Sequence, residues 1–117
     1  MHFYKIDNKV IASKDTFPYE ELIPNTTDGA HEKHVPVIMQ DQNKVNVVVG
    51  STAHPMLDAH YIVWIGIETC YGDVIGFQQK WLEPGMLPEA DFALSEGEEL
   101  VAAYEYCNLH GLWKNEA

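Results

Sequence analysis

Short strand-like segments separated by turn residues fill the chain from residue 34 onward, and this repetition constrains the fold more than any other feature. Residues 44–49 alternate, with Val45, Val47 and Val49 on one face, which indicates a half-buried strand. Residues 61–69 are nearly all apolar or aromatic, as in a central strand covered on both faces. Further segments of this kind are 35–39, 74–82, 92–94 and 100–106. The pattern predicts an all-β chain folded as a β-sandwich.

Only residues 96–103 compete with this interpretation. Glu, Leu and Ala favour a helix there, but the following Tyr104-Glu105-Tyr106 favours a strand. Pro36, inside the first strand of the series, predicts an edge position because proline cannot donate a ladder hydrogen bond. We therefore predict no helix.

The first 28 residues have a different character. Residues 3–5 and 9–11 could pair as a hairpin around Asp7-Asn8. The prolines and the Asn25-Thr26-Thr27-Asp28-Gly29 cluster that follow are typical of loops. We accordingly divide the chain into an N-terminal extension, residues 1–28, and a β-sandwich domain, residues 29–117.

Composition excludes several classes of partner. The chain has 117 residues, enough for one domain with a real core. Eighteen acidic residues against seven lysines and no arginine give a formal charge of −11, which disfavours nucleic acids and anionic lipid surfaces. The longest apolar run is too short to span a bilayer, and no secretory signal pattern opens the chain, which favours the cytoplasm. The acidic stretch 83–105 is interpreted as a solvated surface or, alternatively, a docking face for a basic patch.

Cysteine and histidine spacing suggests a metal site. Cys107 and His110 stand three residues apart and Gly111 follows, as in a turn that grips a metal from two sides. Loops at one end of a sandwich converge, so more distant ligands can join this turn. Three further histidines lie in loops or at predicted strand ends, namely His34, His54 and His60. We expect all five side chains to surround one ion.

The ligand set narrows the choice of metal. Structural zinc is normally satisfied by four ligands, whereas five indicate a metal with a square-pyramidal or octahedral preference and a vacant position. Blue copper would use a methionine shortly after the last histidine, and residues 111–114 contain none. Iron is therefore preferred. Cys70 closes an apolar run and is interpreted as a small buried hydrophobic residue, and nothing indicates a disulfide.

Three motifs occur in a fixed order between residue 31 and the C-terminus. They are His31-Glu32-Lys33-His34-Val35-Pro36-Val37, His54-Pro55-Met56 with His60-Tyr61-Ile62, and Cys107-Asn108-Leu109-His110-Gly111-Leu112-Trp113. Together they resemble the superoxide reductases, the family that comprises desulfoferrodoxin and neelaredoxin. The resemblance implies an immunoglobulin-like β-sandwich holding one mononuclear non-haem iron, which reduces superoxide to hydrogen peroxide.

The resemblance also implies roles for individual residues. Cys107 corresponds to the axial ligand, and Glu32 and Lys33 match a mobile loop beside the open sixth position. There we expect Lys33 to attract superoxide and Glu32 to bind ferric iron. His31 lies outside the matched ligands and is interpreted as a surface residue. The equatorial ligands implied are His34, His54, His60 and His110.

Partners follow from the resemblance as well. It implies a small electron donor such as rubredoxin and a homo-oligomer, either a dimer or a tetramer. Desulfoferrodoxins carry an N-terminal lobe that binds a second iron through four cysteines, but residues 1–28 contain no cysteine, so we expect that second iron to be absent. Two alternatives stay open: a non-catalytic iron or zinc protein for electron transfer or metal binding, and an adhesion or recognition module on the same kind of sandwich.

Overall fold

Ten β-strands and one helical turn make up the secondary structure, and every pair of neighbouring strands is antiparallel. The computed structural model describes all residues from 1 to 117. The elements are β1 (His2–Ile6), β2 (Lys9–Ser13), β3 (Glu20–Glu21), α1 (His31–His34), β4 (Pro36–Asp41), β5 (Lys44–Val49), β6 (Ile62–Tyr71), β7 (Val74–Trp81), β8 (Glu89–Ala93), β9 (Glu99–Cys107) and β10 (Gly111–Glu116).

Two of the three sheets form the predicted sandwich. The four-stranded sheet has the order β10-β9-β6-β7 and the three-stranded sheet the order β4-β5-β8. Their inner faces share one hydrophobic core, in which the three valines of β5 pack with residues of β6, β8 and β9. Val45, Val47 and Val49 are all buried, so the alternation in the sequence correctly identified the inward face. The prediction of an all-β immunoglobulin-like sandwich is confirmed.

Strand β6 is covered on both faces, as its continuous apolar sequence indicated. It lies between β9 and β7, and Ile65 and Ile67 point into the sandwich core. On the opposite face Trp64 joins a second cluster with Phe3 and Tyr104. Each face of β6 therefore has its own apolar partners. Pro36 opens β4, which is an edge strand as expected.

The N-terminal residues build a small sheet of their own. β1 and β2 form the predicted hairpin, with Asp7 in the left-handed region at the turn (φ 50°), and β3 adds to the other edge of β1. Phe3 anchors this sheet: it is buried, and its ring centroid lies 4.6 Å from that of Tyr104 and 5.8 Å from that of Trp64. The extension thus packs on the outer face of the four-stranded sheet. The boundary between residues 28 and 29 stays a prediction.

Several expectations about secondary structure were wrong. A single helical turn, α1, occurs where no helix was predicted, because one turn is too short to produce a helical period. β8 covers 89–93 instead of 92–94, and β10 was not predicted at all. The adjacent polar residues Lys114 and Asn115 interrupt the apolar pattern by which a strand is recognised in β10. The strand forms because every one of its residues pairs with β9. The competing helix at 96–103 is absent, and β9 begins at Glu99.

Not every acidic residue of the stretch 83–105 lies at the surface. Glu105 is 0% exposed, because the alternation of β9 places it on the same inward face as Ala103 and Cys107. Neither of its carboxylate oxygens has a hydrogen-bond partner, and burial raises the pKa of Glu105 well above its ordinary value.

Both cysteines are free, and Cys70 is half-buried instead of buried. No helix has the length and apolar character needed to cross a membrane.

Candidate metal centre

Three separate parts of the chain bring donor side chains to one end of the sandwich. The turn α1 supplies His34, the connection between β5 and β6 supplies His54 and His60, and the turn between β9 and β10 supplies Cys107 and His110. One donor atom from each of His34, His54, His60 and Cys107 can be chosen so that all four lie within 4.8 Å of one another. Four of the five predicted residues therefore form a compact donor group, and His110 adjoins it.

The four imidazole rings form a square. Neighbouring ring centroids are 4.7 Å apart for His34–His54, 4.7 Å for His54–His60, 5.0 Å for His60–His110 and 4.8 Å for His110–His34. Each ring is nearly perpendicular to its two neighbours, with interplanar angles between 71° and 82°. The opposite rings of His34 and His60 are 6.4 Å apart and inclined by only 28°. This is how four imidazoles are arranged when their nitrogens converge on a common point.

Cys107 completes the arrangement. Its side chain is fully buried, and Sγ lies 3.5 Å from Nε2 of His54 and 4.0 Å from Nδ1 of His110. Burial raises the pKa of the Cys107 thiol, and backbone N–H groups of His110 and Leu109 oppose this by hydrogen bonding to the sulfur. The site therefore offers one soft sulfur donor beside four borderline nitrogen donors.

Hydrogen bonds determine which nitrogen of two rings faces the centre. Nδ1 of His34 donates to the Ala30 carbonyl at 2.8 Å, and Nδ1 of His54 donates to the Pro55 carbonyl at 2.6 Å. In a neutral imidazole the other nitrogen, Nε2, then carries a lone pair and no proton. The two Nε2 atoms are only 3.1 Å apart. Two lone pairs cannot form a hydrogen bond with each other, but both can bind one cation.

His60 gives independent support for a cation. Its Nε2 atom is buried and has no hydrogen-bond partner. A buried polar atom without a partner costs free energy, so such atoms are rare in folded proteins. In the imidazole square, His60 has His54 and His110 as its neighbours. A metal ion at the centre would satisfy it.

The protonation states fit a metal site too. Burial lowers the pKa of His34, His54 and His60, and the neighbouring histidines lower it further. The pKa of His54 falls to about 4. These three rings are therefore neutral at pH 7 and keep the lone pairs that metal binding requires. With five such donors, the set suits a transition metal that accepts both nitrogen and sulfur.

Glu32 and Lys33, which the resemblance assigned to a mobile loop, lie in a helical turn. Both are exposed in the turn α1, directly before His34. Burial is the main cause of the lowered pKa of His34 and of His60, and the charge of Lys33 contributes to both shifts. The Glu32 carbonyl accepts a hydrogen bond from the Thr52 amide at 2.9 Å, which ties the turn to the loop after β5.

Residues around the site that the sequence reasoning did not assign include Trp113 and Thr27. Trp113 is fully buried and stacks on His34, with the centroids 5.1 Å apart and an interplanar angle of 27°. Thr27 donates a hydrogen bond to the His110 carbonyl. His31 is exposed as expected, although its ring meets Trp113 edge-on at 5.1 Å. Trp113 lies within a motif quoted above, but nothing in its spacing indicates contact with His34.

Comparison with known proteins places this site in a family. The sequence model described as Desulfoferrodoxin matches residues 26–116. The chain belongs to the desulfoferrodoxin family. Among relatives in this family, the desulfoferrodoxin of Nitratidesulfovibrio vulgaris is 47% identical over 100 residues, covering 86% of this chain and 75% of that protein. The superoxide reductase of Pyrococcus horikoshii is 35% identical over 105 residues, covering 76% of this chain and 89% of that protein.

Solved structures of similar proteins have the same architecture. The superoxide reductase from Treponema pallidum superposes with a TM-score of 0.78 at 36% identity, covering 97% of this chain and 84% of that one. The superoxide reductase (1Fe-SOR) from Giardia intestinalis superposes with a TM-score of 0.61 at 37% identity, covering 74% of this chain and 97% of that one. This member of the desulfoferrodoxin family has no cysteine in residues 1–28, so its first sheet has no thiolate with which to bind metal.

Proposed function

We propose that this chain is a superoxide reductase with one mononuclear iron. His34, His54, His60 and His110 would hold the iron through imidazole nitrogens, and Cys107 would hold it through its sulfur. The observation that carries the proposal is the square itself, in which neighbouring rings stand perpendicular around a common centre. Family membership supports the same assignment.

The donor set favours iron over the alternatives. Five donors exceed the four that structural zinc normally uses. One thiolate and four neutral imidazoles around a divalent ion leave a net charge of about +1, which attracts a small anion. Bound iron would supply one electron and a free coordination position for superoxide. The reaction balances as superoxide plus one electron plus two protons giving hydrogen peroxide.

The protein would tune this centre through the sulfur. Backbone N–H groups of Leu109 and His110 that hydrogen-bond to Cys107 withdraw electron density from it. An axial ligand and its hydrogen bonds set the reduction potential of an iron centre. The turn 107–110 therefore serves two roles, since it provides two ligands and adjusts one of them.

Lys33 would act on the substrate. Superoxide approaches an acidic protein, but charges more than about 8 Å away are largely screened at physiological ionic strength. The charge of Lys33, which acts on both His34 and His60, would dominate the final approach. At about 6 Å and an intermediate dielectric constant of about 40 it contributes roughly 1.4 kcal/mol. Lys33 would also hold a water molecule that delivers a proton to the peroxide.

Glu32 would act after the reaction. A carboxylate is a harder ligand than imidazole or thiolate, so it prefers the more oxidised ion. Glu32 lies in the exposed turn two residues before His34, next to Lys33. We propose that its carboxylate would serve as a donor to iron in the ferric state. If Glu32→Ala left the ferric visible spectrum unchanged, this role would be wrong.

The remaining partners stay predictions. A small one-electron donor of the rubredoxin type would return the electron that each turnover consumes. The homo-oligomer, a dimer or tetramer, can be tested by light scattering of the purified protein. Neither the donor nor the oligomer affects the assignment of the ligands.

The test is an anaerobic assay of the protein loaded with Fe²⁺, which supplies the electron for one turnover. Superoxide consumption should yield one peroxide for each superoxide and release no oxygen, because reduction and dismutation differ in that product. Oxidation should also produce a visible sulfur-to-iron charge-transfer band. Iron-loaded protein that consumes no superoxide, or that releases oxygen in equal measure to peroxide, would overturn the proposal.

A further inference from the structure

We infer that Thr27 and Trp113 are positioning residues that hold the 107–110 turn by a single atom, the carbonyl oxygen of His110. The inference rests on the proposed function only in taking Cys107 and His110 as metal ligands. Neither Thr27 nor Trp113 supplies a donor atom to the centre. Their effect on the metal would pass through the backbone of the turn.

Two side chains donate to the same oxygen. Nε1–H of Trp113 donates to the His110 carbonyl at 3.0 Å, and the Thr27 hydroxyl donates to the same carbonyl. A carbonyl oxygen has two lone pairs, so both acceptor sites are used. One donor comes from the segment before α1 and the other from β10. The carbonyl is therefore held from two independent parts of the chain.

The ring of Trp113 holds a second ligand at the same time. It stacks face to face on His34, whose Nδ1 donates to the Ala30 carbonyl. These two contacts leave the His34 ring little freedom to tilt, because one restrains its plane and the other its rotation. Trp113 thus connects His34 and His110, which are neighbours in the imidazole square.

Two glycines make this close packing possible. A Cβ atom on Gly29 would lie 2.8 Å from Cζ2 of Trp113 and 3.0 Å from Nδ1 of His34. Gly111 has φ +79°, which directs the chain out of the turn, and a Cβ there would lie 3.2 Å from Cγ2 of Thr27. A larger residue at Gly29 would push Trp113 and His34 aside, and one at Gly111 would push Thr27 away from the turn.

The restraint on the His110 carbonyl also affects the hydrogen bonds to the Cys107 sulfur. Fixing the His110 carbonyl restrains the adjoining backbone, including the N–H groups of Leu109 and His110 that donate to Cys107. If the carbonyl were released, those hydrogen bonds would lengthen and the sulfur would donate more electron density to the metal. Thr27 and Trp113 therefore influence the metal–sulfur bond without touching it.

The experiment uses Co²⁺ as the probe, in anaerobic titrations of the full chain. Co²⁺ reports its own affinity and, through its sulfur-to-cobalt absorption band, the state of the thiolate. Thr27→Val and Trp113→Phe should each raise the dissociation constant about tenfold and shift the band, as expected for residues that orient ligands. Thr27→Ser keeps the hydroxyl and should retain both the affinity and the band position.

The double variant tests the shared oxygen. Removing one donor leaves the carbonyl partly satisfied, whereas removing both leaves it without a partner. The loss of affinity in Thr27→Val/Trp113→Phe should therefore exceed the product of the two single losses. A loss equal to that product would contradict action through one atom. Thr27 is exposed, so its two variants should fold and decide the question even if Trp113→Phe does not.

Matched controls separate positioning from general stability. Trp64→Phe alters a buried tryptophan on the outer face of the sheet, and Thr69→Val removes a hydroxyl that bonds to Glu98. Both should lower the melting temperature and leave the cobalt band in place. The inference is overturned if Thr27→Val binds Co²⁺ like the unmodified protein, or if the controls shift the band equally. A wild type that binds Co²⁺ as expected but, loaded with iron, consumes no superoxide would refute the proposed function alone.

Discussion

Nε2 of His34 lies 3.1 Å from Nε2 of His54, and the hydrogen bonds at the two Nδ1 atoms leave both Nε2 atoms without a proton. Two lone pairs at this separation repel each other. The contact is unfavourable by itself, and a cation between the two atoms would convert it into two bonds. Metal binding should therefore raise the stability of the fold.

His60→Ala should lose most of the metal affinity. The variant removes a donor whose Nε2 atom has no other partner. Loss of a residue that merely orients a ligand costs about 10- to 100-fold, so loss of a ligand should cost at least about 100-fold. Isothermal titration with Fe²⁺ under anaerobic conditions measures the change. His2→Ala, which removes a half-buried histidine paired with Glu21, should bind like the wild type. Equal affinity of the two variants would exclude His60 as a ligand.

Lys33→Ala should slow the reaction with superoxide about tenfold, because its ammonium contributes roughly 1.4 kcal/mol to the approach of the anion. The variant should also show a weaker dependence of the rate on salt. Pulse radiolysis measures the bimolecular rate constant. Lys44→Ala, at the start of β5, changes the net charge equally and should leave the rate nearly unchanged. If both variants behaved alike, only net charge would matter and Lys33 would have no specific role.

Gly50→Ala should destabilise the fold more than Gly85→Ala. Both glycines have positive φ, +82° and +89°, so the backbone strain of roughly 1–2 kcal/mol is common to the two variants. A Cβ on Gly50 would lie 2.5 Å from the Thr52 carbonyl oxygen and 2.8 Å from that of Glu32, whereas one on Gly85 meets nothing within 4 Å. We expect about 1–3 kcal/mol of additional loss for Gly50→Ala in chemical denaturation.

The same pair of variants reports on α1. The backbone beside Gly50 contacts the turn that carries Glu32 and Lys33, so Gly50→Ala should displace these side chains and lower the superoxide rate. Gly85→Ala should react at the wild-type rate. A Gly50→Ala protein with an unchanged rate would indicate that the position of α1 is unimportant for the reaction.

Tyr104→Phe should change how stability depends on alkaline pH. Burial, together with the hydrogen bond to Glu68 at 2.9 Å, raises the pKa of Tyr104 well above its ordinary value of 10. Above pH 10 the unfolded chain loses the phenol proton while the folded chain keeps it, so stability falls as pH rises, by up to about 1.4 kcal/mol per pH unit.

The phenylalanine variant lacks this contribution. It should be less stable than the wild type at pH 8, by about 1 kcal/mol for the lost hydrogen bond, and the difference should shrink between pH 10 and 11. Urea denaturation at each pH measures it. Tyr71→Phe, at a tyrosine that is 58% exposed, should give a constant difference throughout. A constant difference for Tyr104→Phe as well would contradict the raised pKa.

Local pattern was sufficient for much of the fold and for the identity of the donors. The alternation of residues 44–49 predicted both a strand and its buried face, because the period of two is a property of each strand alone. Cys107 and His110 indicated a metal-binding turn through spacing and chemistry. β10 escaped prediction because its pairing with β9, and not its own residues, makes it a strand.

Long-range contacts decided what surrounds those donors. Sequence places Glu105 within an acidic stretch, but the register of β9 buries it next to the core. Sequence likewise leaves His54 and His34 twenty residues apart, and only the packing of α1 against the loop after β5 brings their nitrogens together. Which nitrogen keeps its lone pair depends on which carbonyls lie beside the rings, and Trp113 meets His34 only across the sandwich end. These relationships join residues distant in the chain, whereas a periodic pattern describes only neighbours.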